Sequence, residues 1–349
     1  MSSLRKYVWS GAACVAFPFA AHACATCGCS LSTDAAMGYS AAPGWRVNVE
    51  YDFIDQNQLR SGTSPISTAQ VAGINDAGGN QEVEEKTINR YTNVGISYRP
   101  SADWNVNLLI PYIDRTHTTY SNAGVADLTP DNVSGADSKG LGDIKLIASY
   151  QGILPTHNLG VQAGLKLPTG RYGGQNVDTG ATVGRSPVFF STGPNAGPPA
   201  QSLDTSLQPG TGSTDLILGA YYYQPVSQNF DAFINGQYQS AFNEKLNQVG
   251  GDYRPGNLTT LSFGVRYEEN PRWVPQLQVN VTRKSADQGA LADTTDTAGT
   301  VVYLSPGITT SILHNLQAYA FVQVPIYSKL DGYQLFPHWT ASVGFSFSF

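Results

Sequence analysis

WTASVGFSFSF, residues 339–349, is the stretch that decides the prediction of the fold. Side chains alternate between the two faces of a β-strand. One face of this stretch is therefore wholly apolar and ends in Phe345, Phe347 and Phe349, while the other face carries only small or polar residues. A strand of a soluble β-sandwich is one interpretation, but it would leave three phenylalanines facing outward at the end of the sequence.

An aromatic final residue preceded by alternating aromatics is typical of the last strand of bacterial outer-membrane barrels, which the barrel assembly machinery recognises. Phe345, Phe347 and Phe349 are accordingly predicted to form the assembly signal. The remaining strands must then close a barrel with this one. The predicted fold class is all-β: a transmembrane, antiparallel, up-and-down β-barrel of about 12 strands, with short periplasmic turns and long extracellular loops. A Greek-key sandwich pair is the alternative architecture.

The composition agrees with a membrane barrel. Of 349 residues, 41% are hydrophobic and only 13% are charged, and the sequence contains 36 glycines and 19 tyrosines. No stretch after residue 23 approaches the roughly 18 consecutive apolar residues that a membrane-spanning helix needs, whereas alternation dilutes the apolar residues of a barrel strand. The net charge is −6, without a basic stripe, so nucleic acid is not an expected partner.

The N-terminus has the features of a secretory signal peptide. Arg5 and Lys6 precede a mostly apolar run, and Ala21-His22-Ala23 provides a small-x-small cleavage pattern. The predicted organisation is a cleaved signal peptide at 1–23, a cysteine-containing periplasmic segment at 24–44 and an outer-membrane β-barrel at 45–349. The predicted location is the outer membrane of a Gram-negative bacterium, with membrane lipid as a partner.

Cys24, Cys27 and Cys29 leave four interpretations open. Cys24 is a candidate for lipidation, although Ala21 stands where a lipoprotein signal prefers leucine. Two of the cysteines are candidates for a small disulfide loop with one odd thiol. The three thiolates are also candidate ligands of a soft metal ion such as Cu(I) or Zn(II), and the fourth interpretation is that they are incidental. A c-type haem is rejected because Gly28 follows Cys27, so no other cofactor is expected.

Twelve strand-like stretches follow, separated by alternately short and long connections. The predicted strands are about 45–54, 88–98, 103–115, 141–151, 157–168, 213–224, 228–241, 258–269, 273–285, 298–311, 315–328 and 338–349. A barrel with tight periplasmic turns and extended outer loops explains this alternation, whereas a soluble sandwich does not. The loops at 55–87 and 169–212 are predicted to fold over the mouth, with Glu82, Glu84 and Glu85 as part of a solvated cover.

Three glycine-rich stretches carry a family resemblance. They are GLGDIKL at 140–146, VQAGLKLPTG at 161–170 and QPGTGSTDLILG at 208–219. They resemble the outer-membrane proteins named for the meta-pathway of phenol degradation, most clearly over residues 90–240. The resemblance implies a barrel and suggests transport of small molecules, such as aromatic or other hydrophobic solutes.

Alternation also predicts which side chains face the interior. The pore-lining candidates are Lys145, Lys166, Arg266, Gln278, Asn280, Phe233 and Phe321. A basic side chain facing lipid at mid-depth costs about 2–4 kcal/mol, so the lysines and the arginine are expected inside. Asp143 and Asp215 begin equivalent strands at the outer rim. They either form part of an acidic ring that favours cations or cap the local turn.

The sequence lacks a recognisable catalytic arrangement, because its histidines are far apart and no nucleophile motif stands out. The protein is therefore not expected to be an enzyme. The first hypothesis is an outer-membrane channel for passive diffusion of a small-molecule solute. The alternative is a barrel that anchors or sleeves a periplasmic metal or electron-transfer protein through its N-terminal cysteines.

Overall fold

The computed structural model describes residues 43–121 and 123–349. The strands are β1 Gly44–Gly62, β2 Ser64–Pro65, β3 Val83–Arg99, β4 Trp104–Tyr120, β5 Val133–Leu141, β6 Ile144–Tyr150, β7 Leu159–Leu167, β8 Tyr172–Gln175, β9 Thr182–Arg185, β10 Ser213–Pro225, β11 Phe230–Glu244, β12 Leu258–Tyr267, β13 Trp273–Lys284, β14 Gly299–Leu313 and β15 Leu316–Ser348. One α-helix, α1, spans Thr68–Asp76. The predicted signal peptide and Cys24, Cys27 and Cys29 lie outside the described residues.

The strands form a closed antiparallel barrel. The order around the wall is β15-β14-β13-β12-β11-β10-β7-β6-β4-β3-β1, and pairing of β1 with β15 closes the ring. The strands β2 and β5 lie outside this path, paired with β1 and β4 respectively. The separate hairpin β8–β9 belongs to the third long loop. The prediction of an all-β membrane barrel is therefore confirmed.

The long element β15 supplies two strands of the wall. Its residues 316–330 pair with β14, whereas residues 334–348 pair with β1. The Ser348 N–H donates to the Asn315 carbonyl at 2.9 Å, so the element folds back on itself. Gly332 has a φ of +60° near the middle of the element, a conformation that glycine adopts without steric cost. When the two halves of β15 are counted separately, the wall contains the predicted twelve strands.

The outer surface of the wall is apolar, with aromatic side chains at its edges. Exposed members of this belt include Val49, Leu146, Leu165, Leu218, Ile234, Leu261, Phe263, Leu277, Val322 and Val343. At the end with the short turns, Trp45 stacks near Tyr98 with ring centroids 4.4 Å apart, and Trp104 near Tyr150 at 4.9 Å. Such a belt with aromatic girdles is the surface that a transmembrane barrel presents to lipid, and its short turns face the periplasm.

Several strands continue beyond this belt at the outer end. The outward carboxylate of Asp114 in β4 lies 4.0 Å from Arg90 in β3 and 3.4 Å from Lys139 in β5. Charged pairs replace apolar side chains here because this part of the wall faces water. The strand predicted at 141–151 is β6, whereas β5 lies within the connection predicted between 115 and 141, and Gly142 and Asp143 separate the two strands. The predicted outer loops are accordingly shorter than expected, and much of their length is strand.

The outer loops pack against one another. Helix α1 begins at a capping box, in which Ser67 and Gln70 satisfy each other's backbone N–H groups. Its Val71 and Ala72 are fully buried against Leu335 of β15. With nine residues, α1 is short, and among the described ranges no helix combines the length and hydropathy needed to span a membrane.

Candidate functional site

The interior of the barrel is lined mainly by polar side chains that hydrogen-bond along the wall. Asn280 Nδ2 donates to Ser305 Oγ at 2.9 Å and to Gln323 Oε1 at 3.2 Å. On the other side of the barrel, the Tyr221 hydroxyl donates to Gln151 Oε1 at 2.7 Å. Each of these bonds joins adjacent or next-but-one strands. These donors and acceptors are thereby paired at the wall, where a buried group without a partner would be costly.

The predicted polar pore-lining residues occupy different environments. Gln278 and Asn280 are buried in the wall network of β13, and Arg266 is buried while its Nε donates to Glu268 at 2.8 Å. Lys145 of β6 is only half-buried on the inward side. Half-buried inward side chains also line β7, β11 and β12: they are Gln162, Asn235, Gln237 and Ser262. That these residues line a conducting pore stays a prediction.

The two predicted aromatics, Phe233 and Phe321, lie against glycines of neighbouring strands. Phe233 is the direct cross-strand partner of Gly264, and Phe321 that of Gly307. A Cβ placed on Gly264 would lie 2.5 Å from the Phe233 ring, and one on Gly307 would lie even closer to Phe321. Both rings are almost fully buried. They cover the backbone of the wall, where glycine permits the close approach.

Gly307→Ala is expected to destabilise the barrel by about 1–3 kcal/mol, because the new methyl group overlaps the Phe321 ring. The temperature at which the folded barrel loses its fast electrophoretic migration measures the effect. The matched control is Gly95→Ala, whose Cβ would meet only Asn48 Cβ, at 3.6 Å. The double variant Gly307→Ala, Phe321→Leu should recover stability. Equal melting of Gly307→Ala and Gly95→Ala would contradict the packing described here.

Lys166 is the centre of a buried ion cluster at the outer rim. Its Nζ lies 3.0 Å from Asp143 Oδ2 and 3.3 Å from Asp215 Oδ2, and it donates to Ser213 Oγ at 3.1 Å and to Thr211. The side chains of the lysine and both aspartates are 3–7% exposed. A buried lysine therefore neutralises part of the predicted acidic rim, and the two carboxylates are not displayed as a free acidic ring.

The three stretches behind the family resemblance meet at this cluster. Asp143 accepts hydrogen bonds from the backbone N–H groups of Gly170 at 3.0 Å and Thr211 at 2.9 Å. Thr169 Oγ1 donates to the Gly142 carbonyl at 2.8 Å and accepts from the Ile144 N–H at 2.9 Å. Asp143 thus holds three loop-to-strand transitions together through residues remote in sequence, rather than by capping only its own local turn.

Arg115 is a lumen residue that the sequence reading missed. Its Nε donates to Asn89 Oδ1 at 2.6 Å, its Nη2 donates to the Tyr91 hydroxyl at 2.7 Å, and its Nη1 bonds the Leu207 carbonyl. Leu207 belongs to residues 169–212, here called loop 3. Alternation along β4 from the inward residue Asn107 predicts that Arg115 faces inward. It does not predict the contact with Leu207, which is remote in sequence.

Loop 3 folds into the outer part of the barrel. Its residues Phe190, Leu203 and Leu207 form a buried cluster with Ala136 of β5. Thr192 of loop 3 also forms an isolated antiparallel β-bridge with Gly135 of β5. Since Arg115 and Ala136 face inward, loop 3 narrows the interior from the outer side.

Sequence reading also missed two acidic residues on β1. Glu50 accepts a hydrogen bond from the Tyr319 hydroxyl at 2.6 Å, and Asp52 accepts from Ser342 Oγ at 2.5 Å and Asn93 Nδ2 at 2.8 Å. Both residues alternate with the outward Val49, Tyr51 and Phe53, and this alternation in the sequence already indicated that they face inward. The inner wall therefore carries acidic groups on one side and basic groups elsewhere.

The periplasmic end contains a cavity of about 290 Å³. Its lining includes the side chains of Arg46, Arg99, Asn105 and His314, together with Phe349. The volume suits one small solute, at the lower edge of typical ligand sites. The outward rings of Phe345, Phe347 and Phe349 are exposed near this end, and Trp45 exchanges backbone hydrogen bonds with Phe349 at 2.8 and 2.9 Å. Recognition of these phenylalanines by the assembly machinery stays a prediction.

Tyr253 holds the outer loops together. Its hydroxyl donates to Asp287 Oδ2 at 2.9 Å, and its ring packs with Val183 of loop 3 and Leu246. Burial, followed by the negative charge of Asp287, raises the pKa of Tyr253 well above its usual value. Asp287 also pairs with Lys284 at 2.8 Å.

The stability contributed by Tyr253 is expected to be lost at alkaline pH. A raised folded-state pKa means that the contribution is complete below the unfolded tyrosine pKa of about 10 and declines as the pH rises above it. Proteolysis of the outer loops should therefore accelerate above about pH 10. Tyr253→Phe should abolish this alkaline acceleration of proteolysis. The same acceleration in the variant would show that another group causes it.

The closed wall, apolar belt and hydrogen-bonded interior define a transmembrane β-barrel. Residues 186–333 match the family model described as "Putative MetA-pathway of phenol degradation". The match includes the stretch 208–219 quoted above, whereas 140–146 and 161–170 lie before it. The resemblance inferred from the sequence is thereby confirmed.

Solved outer-membrane proteins resemble this chain at low sequence identity. An outer-membrane channel from Pseudomonas putida F1 has a TM-score of 0.58 and 12% identity, covering 89% of this chain and 98% of its own. The β domain of the Bordetella autotransporter BrkA has a TM-score of 0.47 and 12% identity, covering 88% and 100%. At 12% identity, the likeness to the Pseudomonas putida channel shows the fold alone. A comparison with curated proteins finds no match.

Proposed function

We propose that the protein is an outer-membrane channel through which small molecules diffuse passively. The observation that carries the proposal is the half-buried inner face of β6, β7, β11 and β12, where Lys145, Gln162 and Asn235 remain partly accessible inside a closed wall. Polar groups exposed inside a membrane barrel are typical of a water-filled passage. The channel described from Pseudomonas putida F1 has the same fold.

The proposed solute class is small molecules that carry an aromatic ring and a polar group. Amide side chains of the wall, such as Gln237, are half-buried on the inner face and offer hydrogen bonds to the polar group. The family description, which refers to phenol degradation, agrees with this class.

Liposome swelling tests the proposed function directly. Vesicles containing the mature protein should swell faster than protein-free vesicles in solutes that do not cross lipid, and phenylalanine should enter faster than leucine. Swelling no faster than in protein-free vesicles, with the barrel shown to be folded, would contradict the proposal. Equal rates for the two amino acids would retain the channel and reject the aromatic preference.

We also propose that the barrel assembly machinery recognises the terminal strand. Phe349→Ser is expected to lower the amount of folded protein in the outer membrane, because it removes the last outward aromatic without touching an inward residue. Phe242→Ser, at an outward and exposed position of β11, is the matched control. Equal amounts of folded protein in both variants would contradict a signal at Phe349.

The anchor or sleeve function stays a prediction, because Cys24, Cys27 and Cys29 lie outside the described residues. Its test is replacement of all three cysteines by serine, followed by measurement of metal content and of recovery of periplasmic partners.

A further inference from the structure

Two carboxylates and one imidazole converge at the outer end of the barrel. One ligand atom from each of Glu82, Glu84 and His117 lies within 4.8 Å of the other two. The side chains of Glu82 and His117 are 7% and 0% exposed, and Glu84 is 2% exposed. Glu82 immediately precedes β3, Glu84 lies in β3 and His117 lies in the adjacent β4.

A β-bulge brings the two glutamates to the same face as the histidine. The register of β3 against β4 shifts between Glu84 and Lys86, so Glu85 is an extra residue. Farther along β3, odd-numbered residues such as Thr87 face inward. On the N-terminal side of the bulge, even-numbered residues face inward instead, so Glu82 and Glu84 point into the barrel. The expectation that they form part of a solvated cover is wrong for Glu84, which is buried.

The imidazole of His117 is oriented as a metal ligand. Its Nδ1 lies 2.8 Å from Thr87 Oγ1. With Thr87 as acceptor of the Nδ1–H, Nε2 would carry the lone pair, the arrangement that outer-shell partners give to metal-bound histidines. Nε2 is buried without a hydrogen-bond partner and lies 3.5 Å from Glu82 Oε1. It therefore points into the cluster of carboxylate oxygens.

We propose that Glu82, Glu84 and His117 bind a divalent transition-metal ion, for which Zn²⁺ is the best match. Imidazole nitrogen and carboxylate oxygen are both ordinary zinc ligands, at about 2.0–2.2 Å. Calcium and magnesium favour sites made of oxygen ligands alone. The 3.5 Å separation of Nε2 and Glu82 Oε1 already suits two ligands of one tetrahedral ion. Closure around the ion requires only small side-chain movements.

The bound ion would connect the outer strand ends to loop 3. The ring of Phe190 in loop 3 lies 6.2 Å, centroid to centroid, from the His117 ring. Glu84 Oε2 also accepts the Leu335 N–H of β15 at 3.2 Å. Metal binding would therefore stiffen three parts of the outer wall together. This inference does not depend on the proposed channel function.

Zinc titration of the mature chain with Cys24, Cys27 and Cys29 replaced by serine tests the site, since the replacements remove the competing thiols. One equivalent of Zn²⁺ should bind and raise the melting temperature. His117→Gln in the same background should weaken binding at least about tenfold, because even loss of an outer-shell partner costs that much. His314→Gln, at the periplasmic cavity, is the matched control and should bind as tightly as the parent.

Cobalt provides a second readout, because Co²⁺ in a tetrahedral site absorbs visible light strongly. The parent should show this spectrum, and Glu82→Gln should lose it even if His117→Gln fails to fold. Absence of Zn²⁺ binding in the cysteine-free chain would overturn the proposal. Binding of equal strength in the parent and in the ligand variants would overturn it as well.

Discussion

Replacing Lys166 with methionine is expected to destabilise the folded barrel by about 3–5 kcal/mol, the usual cost of removing one partner from a buried ion pair. The ammonium lies between Asp143 at 3.0 Å and Asp215 at 3.3 Å. Without it, two carboxylates remain in one buried site with no cation between them. Urea unfolding in lipid vesicles measures the loss.

Two comparisons give this prediction its controls. Lys139→Met removes an ammonium that is 55% exposed and 3.4 Å from Asp114, so its cost should be about 0–1 kcal/mol. Asparagine at 143 and 215, combined with Lys166→Met, should restore much of the stability, because no buried charge of the cluster is then left uncompensated. If Lys166→Met costs no more than Lys139→Met, the buried cluster does not stabilise the barrel.

Removing the inward part of loop 3 is expected to raise single-channel conductance severalfold. The segment 189–207 carries Phe190, Leu203 and Leu207, which occupy space against the inner face of β4 and β5. Its ends lie side by side, since the Val188 N–H donates to Gln208 Oε1 at 2.7 Å and Gln208 Nε2 donates to the Val188 carbonyl at 3.1 Å. A short Gly-Ser linker can therefore join Val188 to Gln208 without disturbing the wall.

Arg115→Met provides a milder version of the same test. It keeps the whole of loop 3 but removes the guanidinium that bonds the Leu207 carbonyl and the Tyr91 hydroxyl. Conductance should become noisier and intermediate between that of the parent and that of the deletion. A deletion variant that conducts like the parent would place the narrowest point elsewhere in the barrel.

The membrane-facing part of the fold was largely readable from the sequence. Lipid contacts one side of each strand, so outward residues such as Leu261 and Phe263 alternate with inward Ser262. The strand predicted at 258–269 is found at Leu258–Tyr267, and the one predicted at 273–285 at Trp273–Lys284. Because one side of each strand faces lipid and the other faces polar neighbours, apolar and polar residues alternate with a period of two. This pattern is visible in a single sequence.

The outer part was less readable, for three physical reasons. Above the belt, polar residues predominate on both faces of a strand, so the continuation of β1 to Gly62 and of β3 back to Val83 lacks the regular apolar alternation of the belt. One inserted residue, Glu85, reverses the inward parity of β3. The inward path of loop 3 depends on contacts between residues far apart in sequence, such as Arg115 with Leu207.

For the candidate site, the sequence predicted which side chains face inward but not which residues they contact. The inward positions of Lys166 and Phe321 follow from alternation. The partners that give them their roles are Asp143 before β6, Asp215 on β10 and Gly307 on β14. These contacts follow only from the way the strands pair.

Single-channel recording of the purified mature protein in a planar bilayer tests the central claim most directly. A polar interior, open to water and narrowed by loop 3, predicts discrete and reproducible conductance steps. Persistent silence from protein that electrophoresis shows to be folded would contradict the claim and would mean that the interior is closed.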